Sequence, residues 1–288
     1  MNFASEESAR ECLTHISYFR LKYYWKDMVD PDSEDEEFLE SARFEDVVRR
    51  YDFDRRLRLI LFDAIEVIEV ALRTKIIQHM SLSAGNGQWY LERKWFERDE
   101  YFEDFVLDLK YEFNRSTEPF AKDFIREHPD WDCDSLEGVS PDAWMIFESA
   151  TFGTLSKMYK NLRNQSPDAS RIANDFGLYS ARELGGWLES VSVLRNIVAH
   201  HSRLWNRALA KKTLDPKGHR DKWLVSPLTE NQKRKPYGVI AAMVYLCDAV
   251  APKNEVRGKL LALFDEFEDV PYARLGFTGE WRKEPLWR

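Results

Sequence analysis

The sequence predicts an all-α protein, and three observations predict it. Apolar residues recur at steps of three and four along several long stretches, as they do when one helix face is buried. Only 12 Gly and 11 Pro punctuate the 288 residues. No segment shows the alternation of a half-buried strand, and no internal repeat is visible. The expected architecture is a helical bundle with additional helices and no substantial sheet. A chain that is 44% hydrophobic and 14% aromatic has enough apolar surface for a sizeable core, which sets it apart from disordered sequences.

The first expected helix runs from Glu6 to Val29, with Cys12, Ile16, Phe19 and Tyr23 on one face. The run DPDSEDEEFLE, Asp30 to Glu40, is acidic and contains a proline, so it reads as an exposed loop. Phe44 to Met80 carries the longest helical pattern, with a break expected near Asp52 or Asp54. Ser83 to Gly87, SAGNG, supplies a loop. Asp99 to Asn114 and Pro119 to Glu127 are two further helices, the second ended by His128-Pro129. Ser140-Pro141 reads as a helix start with serine as cap and proline in the first turn. That helix is expected to be interrupted at Phe152-Gly153 and to resume to about Leu162. Ser180-Ala181-Arg182-Glu183 is a capping box opening a helix to about His201. Gly185-Gly186 near its start costs roughly 2 kcal/mol of helix propensity, which suggests a second backbone packed closely there. Tyr237 to Ala249 and Glu255 to Phe267 are the last two helices. The tail from Pro271 is irregular, with Phe277, Trp281 and Trp287.

Cys12, Cys133 and Cys247 are far apart and form no C-x-x-C pair, so neither a zinc site nor a disulfide framework is expected. The N-terminus is acidic where a secretion signal would be basic, and the longest apolar run, Val239 to Cys247, is too short to span a bilayer. A cytoplasmic protein with no membrane partner is expected. The net charge of −8 argues against nucleic acid, but its distribution does not. From Arg203 to Lys235 ten Lys/Arg face three acids, so this segment is +7 and the rest of the chain −15. Local charge guides phosphate binding more than the total. A solvated basic loop is the alternative.

The segment RNIVAHHSRLWNR, Arg195 to Arg207, carries the chemistry. Arg195 is a permanent cation, and His200, five residues on, is of a type that titrates near neutral pH. Together they suit phosphate-ester chemistry. Around it stand ISYFRLKYYW (Ile16 to Trp25), FEDVVRRYDFDRRLRLILFDAIEVIEVALRTKI (Phe44 to Ile76), FGTLSKMYKNL (Phe152 to Leu162) and WLESVSVLRNIVAHHSRLWNR (Trp187 to Arg207). In that order these stretches resemble the Abi-like (abortive infection) family of the HEPN superfamily, whose hallmark is an R-x4-6-H motif. The spacing alone is a weak signal; the long AHHSRLWNR context is specific.

The resemblance implies a HEPN-like bundle, with a core of approximately 44–82 and 140–268, a helical insertion at approximately 88–138 and an aromatic tail at 269–288, all in one domain. It also implies phage defence by metal-independent cleavage of RNA, without a cofactor, and pairing of two bundles. One motif per chain means that the pair would be a homodimer. His200 is then the proton-transfer group, Arg195 stabilises the phosphorane, and Asn196 orients the phosphate or the imidazole. Residues five apart on a helix diverge by about 140°, so facing helices in a dimer would assemble the site better than one helix.

His201, Arg203, Trp205, Asn206, Arg207, Lys211 and Lys212 are candidate supporting or RNA-contacting residues. The same Arg203 to Arg207 stretch reads equally as a hydrogen-bonded helix exit. Glu66 and Glu69, with Arg73, are candidates to orient Arg195 or a histidine, against the alternative of a surface ion pair. Two other readings stay open: a non-catalytic RNA-binding protein acting with a small noncoding RNA or in a larger complex, and a scaffold whose aromatic surface recruits a protein.

Overall fold

The protein is described by a computed structural model over residues 1–34, 37–218 and 220–288, without the side chain of Arg220. Asp35 and Glu36 of the acidic run, and the Arg220 side chain of the basic segment, lie outside the described residues. Within them the chain is all-α, with isolated bridges only and no strand.

The expected helix over residues 6–29 is instead α1 (Glu6–His15) and α2 (Tyr18–Leu21), followed by two 3-10 turns. Ile16 is extended, at φ −123° and ψ 112°, and the Ser17 hydroxyl accepts from the Arg20 N–H, starting α2 afresh. The break changes which side chains are buried. Phe19 and Tyr23, expected inward, are exposed, whereas Leu21, Tyr24, Trp25 and Met28 enter the core.

Helix α3 (Phe44–Ala84) spans 41 residues without the expected break. Asp54 does not interrupt it because the carboxylate is buried and bonds to groups outside the helix rather than to the backbone of α3. Ser83 and Ala84 still belong to the helix, which stops at Gly85 in the left-handed region, φ 70°. Helices α4 (Asp99–Asn114) and α5 (Pro119–Glu127) match their expected spans. The start expected at Ser140-Pro141 comes slightly later. The short α6 (Ala143–Ile146) begins after Asp142, whose side chain makes no capping bond, and a 3-10 turn follows. The interruption falls at Ala150-Thr151, and Phe152 begins α7 (Phe152–Asn161), with the Thr151 hydroxyl capping Thr154. Helix α8 (Pro167–Asp175) was not expected, although Ser166 and Pro167 give it the same cap and first-turn proline. Then come α9 (Ala181–Ala199), α10 (Pro236–Val250) and α11 (Val256–Glu266).

Helix α10 lies deepest, buried at every residue from Pro236 to Cys247. This accounts for its unbroken apolar run, since a helix that is apolar all round must be enclosed. α3 and α9 both pack on it; α7 and α8 flank α9, and α11 lies along α3. The irregular tail is not loose. Phe277, Trp281 and Trp287 are buried in one aromatic cluster, with ring centroids 4.9 Å apart for Trp281 and Trp287 and 5.0 Å for Phe277 and Trp281. Among the described residues no helix is long and apolar enough to cross a membrane.

Candidate functional site

Arg195, Asn196 and His200 sit at the C-terminal end of α9. The N-cap half of the capping box forms as expected, the Ser180 hydroxyl accepting from the Glu183 N–H, while the Glu183 carboxylate accepts from that hydroxyl rather than from the Ser180 backbone N–H. The glycine pair divides. A Cβ at Gly185 would lie 3.9 Å from Cα of Lys160 on α7, so there a second backbone does pass closely, whereas Gly186 faces open space. The outward edge of α9 carries Glu189, Asn196 and His200. The helix ends at Ala199 rather than running through His201.

That end has a defined geometry. His200 is the C-cap; His201 donates its N–H to the Val198 carbonyl and Ser202 to the Ile197 carbonyl, each at 2.9 Å. This pair of bonds requires a left-handed residue at the position of His201, usually glycine. His201 supplies it at φ 53°, a strained conformation for a residue with a Cβ. Its carbonyl accepts from the Arg20 guanidinium of α2. The turn leaves His200 exposed, and among the described residues its ring has no hydrogen-bond partner.

Beyond the turn the chain is clamped by Asp54, which was not singled out as a site residue. Its fully buried carboxylate accepts from the Leu204 N–H at 3.0 Å, the Trp205 N–H at 2.7 Å and the Tyr24 hydroxyl at 2.7 Å, and pairs with Arg58. Burial raises the Asp54 carboxyl above the usual carboxylate range, against the opposing pull of Arg58 and the hydrogen bonds. Trp205 is 1% exposed and stacks on Tyr24, with Arg50 over its ring at 5.5 Å. No RNA base can stack on it, so of its two readings the helix exit is the one that fits. Arg203 donates to the Trp205 carbonyl and lies 4.3 Å over the Tyr23 ring. Asn206 takes a left-handed conformation, φ 48°, which asparagine tolerates well. Arg207 donates to the Arg203 carbonyl at 3.2 Å.

Arg195 is half-buried on the side of α9 that faces α3 and makes no hydrogen bond among the described residues. Its charge nevertheless reaches Glu69. Burial raises the Glu69 carboxyl above its ordinary range, and Arg73 and Arg195 oppose that rise. Glu69 accepts from Arg73 at 3.1 Å, and Arg73 also reaches the Ala150 carbonyl at 3.1 Å and Glu148 at 3.5 Å. Glu66, in contrast, is exposed and unpaired among the described residues. Of the two candidate carboxylates, Glu69 is the one beside Arg195.

Among its described residues the basic segment is tied to the rest of the fold, while Lys211, Lys212, Lys217, Lys222 and Arg234 stay exposed. Its two arms pair, with Leu209 and Thr213 donating to the carbonyls of Arg234 and Lys233 at 2.6 and 2.9 Å. It is pinned to α9 where Trp187 donates to the Leu214 carbonyl at 2.8 Å. Lys211 pairs with Glu189 at 2.6 Å, and Lys160 of α7 reaches the same carboxylate at 2.7 Å. Burial would raise the Glu189 pKa, but the two lysines outweigh it and hold it low. Lys212 and Lys233 both pair with Glu230, which they hold down to about 2.

The outcome, among the described residues, is an exposed and unpartnered imidazole at the C-cap of α9 and, five residues earlier, a half-buried guanidinium without a hydrogen bond. Such a site can neutralise a phosphate and offer or take a proton. Among the described residues no group of three or more His, Cys, Asp or Glu side chains is placed to hold a metal ion. A family model described as Abi-like protein matches residues 11–206, a span that contains the Asp54 clamp and ends within the helix exit. No curated protein and no solved structure matches the chain.

Proposed function

The chain belongs to the Abi-like protein family, and from that premise we propose that it is a phage-defence endoribonuclease of the HEPN type that works without a metal. Abortive infection is the activity the family suggests. The observation that carries the finer reading is that, among the described residues, Arg195 makes no hydrogen bond and His200 is exposed without a partner, both within the last turns of α9 or its cap.

In this mechanism His200 accepts the proton of an RNA 2′-hydroxyl as its oxygen attacks the adjacent phosphorus. Arg195 neutralises the charge that develops on the phosphorane oxygens. The bond to the 5′ oxygen then breaks, and that oxygen takes up a proton, leaving a 2′,3′-cyclic phosphate and a 5′-hydroxyl. Asn196, exposed beside Arg195, is placed to hold a non-bridging oxygen. One chain offers one imidazole, whereas the reaction needs a base and an acid. A homodimer with the two α9 ends facing each other supplies both.

One observation favours the second reading, a non-catalytic RNA-binding protein working with a small noncoding RNA or in a larger complex. Nothing among the described residues orients the His200 ring, and a general base is ordinarily held in place by a partner. The test is cleavage of mixed RNAs by purified protein with and without EDTA. Arg195→Ala and His200→Ala are each expected to slow cleavage by about a hundredfold or more, with EDTA having no effect. Cleavage that persists in both variants, or that EDTA stops, overturns the mechanism. Tight RNA binding without cleavage in the unaltered protein establishes the second reading.

A further inference from the structure

Next to the α9 exit, cations gather from three separate parts of the chain. Arg203 and Arg207 come from the exit itself, Lys235 from the residue that caps α10, and Arg274 from the tail. Lys235 donates to the Asn206 side-chain carbonyl at 2.9 Å. Arg203 and Arg207 bond only to backbone carbonyls of the exit, at Trp205 and Arg203. Among the described residues none of Arg203, Arg207 and Lys235 has a carboxylate in ion-pair contact. Arg274 does reach Asp27, at 3.2 Å, but Asp27 already serves Arg50 at 2.8 Å. Among the described residues that shared carboxylate is the one acid in ion-pair contact with this group, although the buried Asp54 also acts on Arg203.

Arg203, Arg207 and Lys235 are half-buried, so water screens their repulsion less than it would at an open surface. Lys235 is lowered from the usual lysine range by burial first and then by Arg274 and Arg203; Arg203 is lowered by burial and Arg207. Lys235 thus feels Arg274 and Arg203, and Arg203 feels Arg207; the Lys235 side chain also runs against Gly276, two residues from Arg274. Proteins hold like charges together where an anion is to be received.

We infer that Arg203, Arg207, Lys235 and Arg274, with the Asn206 amide, form a phosphate-binding subsite beside the α9 exit. Three planar guanidinium forks and an ammonium match the oxygens of a phosphate group. The positive end of α10 opens at Lys235 and adds to the field. Arg203 is three residues from His200, so their Cα atoms are at most about 11 Å apart. A phosphate seated in the cluster can thus belong to the same RNA strand as one at His200. The inference rests on the RNA reading only for the source of that phosphate; a free phosphorylated small molecule presents the same chemistry. Arg207, Lys235 and Arg274 lie beyond residues 11–206, so the subsite is mostly built outside the part matched to the family.

The test uses the full chain and a binding readout, which keeps it separate from cleavage. The probes are a fully 2′-O-methylated oligoribonucleotide, which cannot be cut, read by fluorescence anisotropy, and inorganic phosphate, read by thermal shift. Lys235→Gln and Arg274→Gln together are expected to weaken oligonucleotide binding by about tenfold and to flatten its salt dependence by about 0.7 for the lost phosphate contact. Arg274→Lys, which keeps the charge, retains most of the affinity even if Arg274→Gln folds poorly. Lys283→Gln removes one charge from the same tail and changes nothing. Loss of the phosphate-induced thermal shift with unchanged oligonucleotide affinity also supports the subsite and assigns it to a free phosphorylated compound. If the double variant keeps both the oligonucleotide affinity and the phosphate-induced shift, there is no subsite. That result leaves the roles of Arg195 and His200 in cleavage untouched.

Discussion

Asp54 gathers two distant pieces of the chain around one carboxylate, Tyr24 and the backbone of Leu204 and Trp205, and pairs with Arg58 one turn along its own helix. Asp54→Asn is expected to cost about 3 kcal/mol in urea denaturation, because it leaves Arg58 buried without its counter-charge. A cost within about 0.5 kcal/mol, the range of ordinary surface changes, would show the clamp to be dispensable. The residue was legible in principle. Val47, Asp54, Leu61 and Ile68 recur every seven residues and are all fully buried or nearly so, which puts Asp54 on the inward face of α3. Its setting, YDFDRRLR, is so charged that composition alone places it at the surface. Arg195, Asn196 and His200 were singled out from motif spacing; Asn196 and His200 are exposed at the end of α9 and Arg195 is half-buried, and their roles stand as proposed. The left-handed turn at His201 was not, since no glycine marks it. Trp205 misled for a different reason: a tryptophan in a basic motif fits RNA stacking as well as it fits a core.

At the level of the element, α9 is both well capped and locally weakened. Its start was read correctly from Ser180 and Glu183, and its end was placed two residues late because the turn that stops it depends on Arg20 from a remote helix. Gly186 stands in the helix interior against open space. Gly186→Ala is expected to stabilise the protein by about 0.5–1 kcal/mol through helix propensity, visible as a raised melting temperature with RNA cleavage unchanged. A lowered melting temperature would mean that the position needs glycine for a reason other than its space. The break between α1 and α2 was hidden by a periodicity that continues across it; Ser17 was the signal. Helix α8 was overlooked although Ser166-Pro167 announces it as plainly as Ser140-Pro141 suggested α6.

For the whole molecule, the all-α class follows from few glycines and prolines and from three- and four-residue periodicity. Which helices meet does not, because the contacts that build the site join residues 150 and 181 positions apart. Leu59, Phe62 and Val70 are exposed on α3, with the exposed Glu66 between them. Apolar surface of that kind favours a partner. Light scattering at micromolar concentration is expected to give twice the chain mass of 34.1 kDa, and Phe62→Glu to return it to the monomer with loss of cleavage. A fully active monomer would sink the composite site. The clamp at Asp54 also sets a clock. At ribosomal speeds of about 5–20 residues per second, the chain needs about 10–40 s to be made as far as Trp205. Until then Asp54 has no Leu204 or Trp205 to hold, and Arg274 is made later still. A nascent or prematurely ended chain therefore carries the early helices without the finished clamp, and any activity that depends on the α9 exit waits for synthesis to pass Trp205.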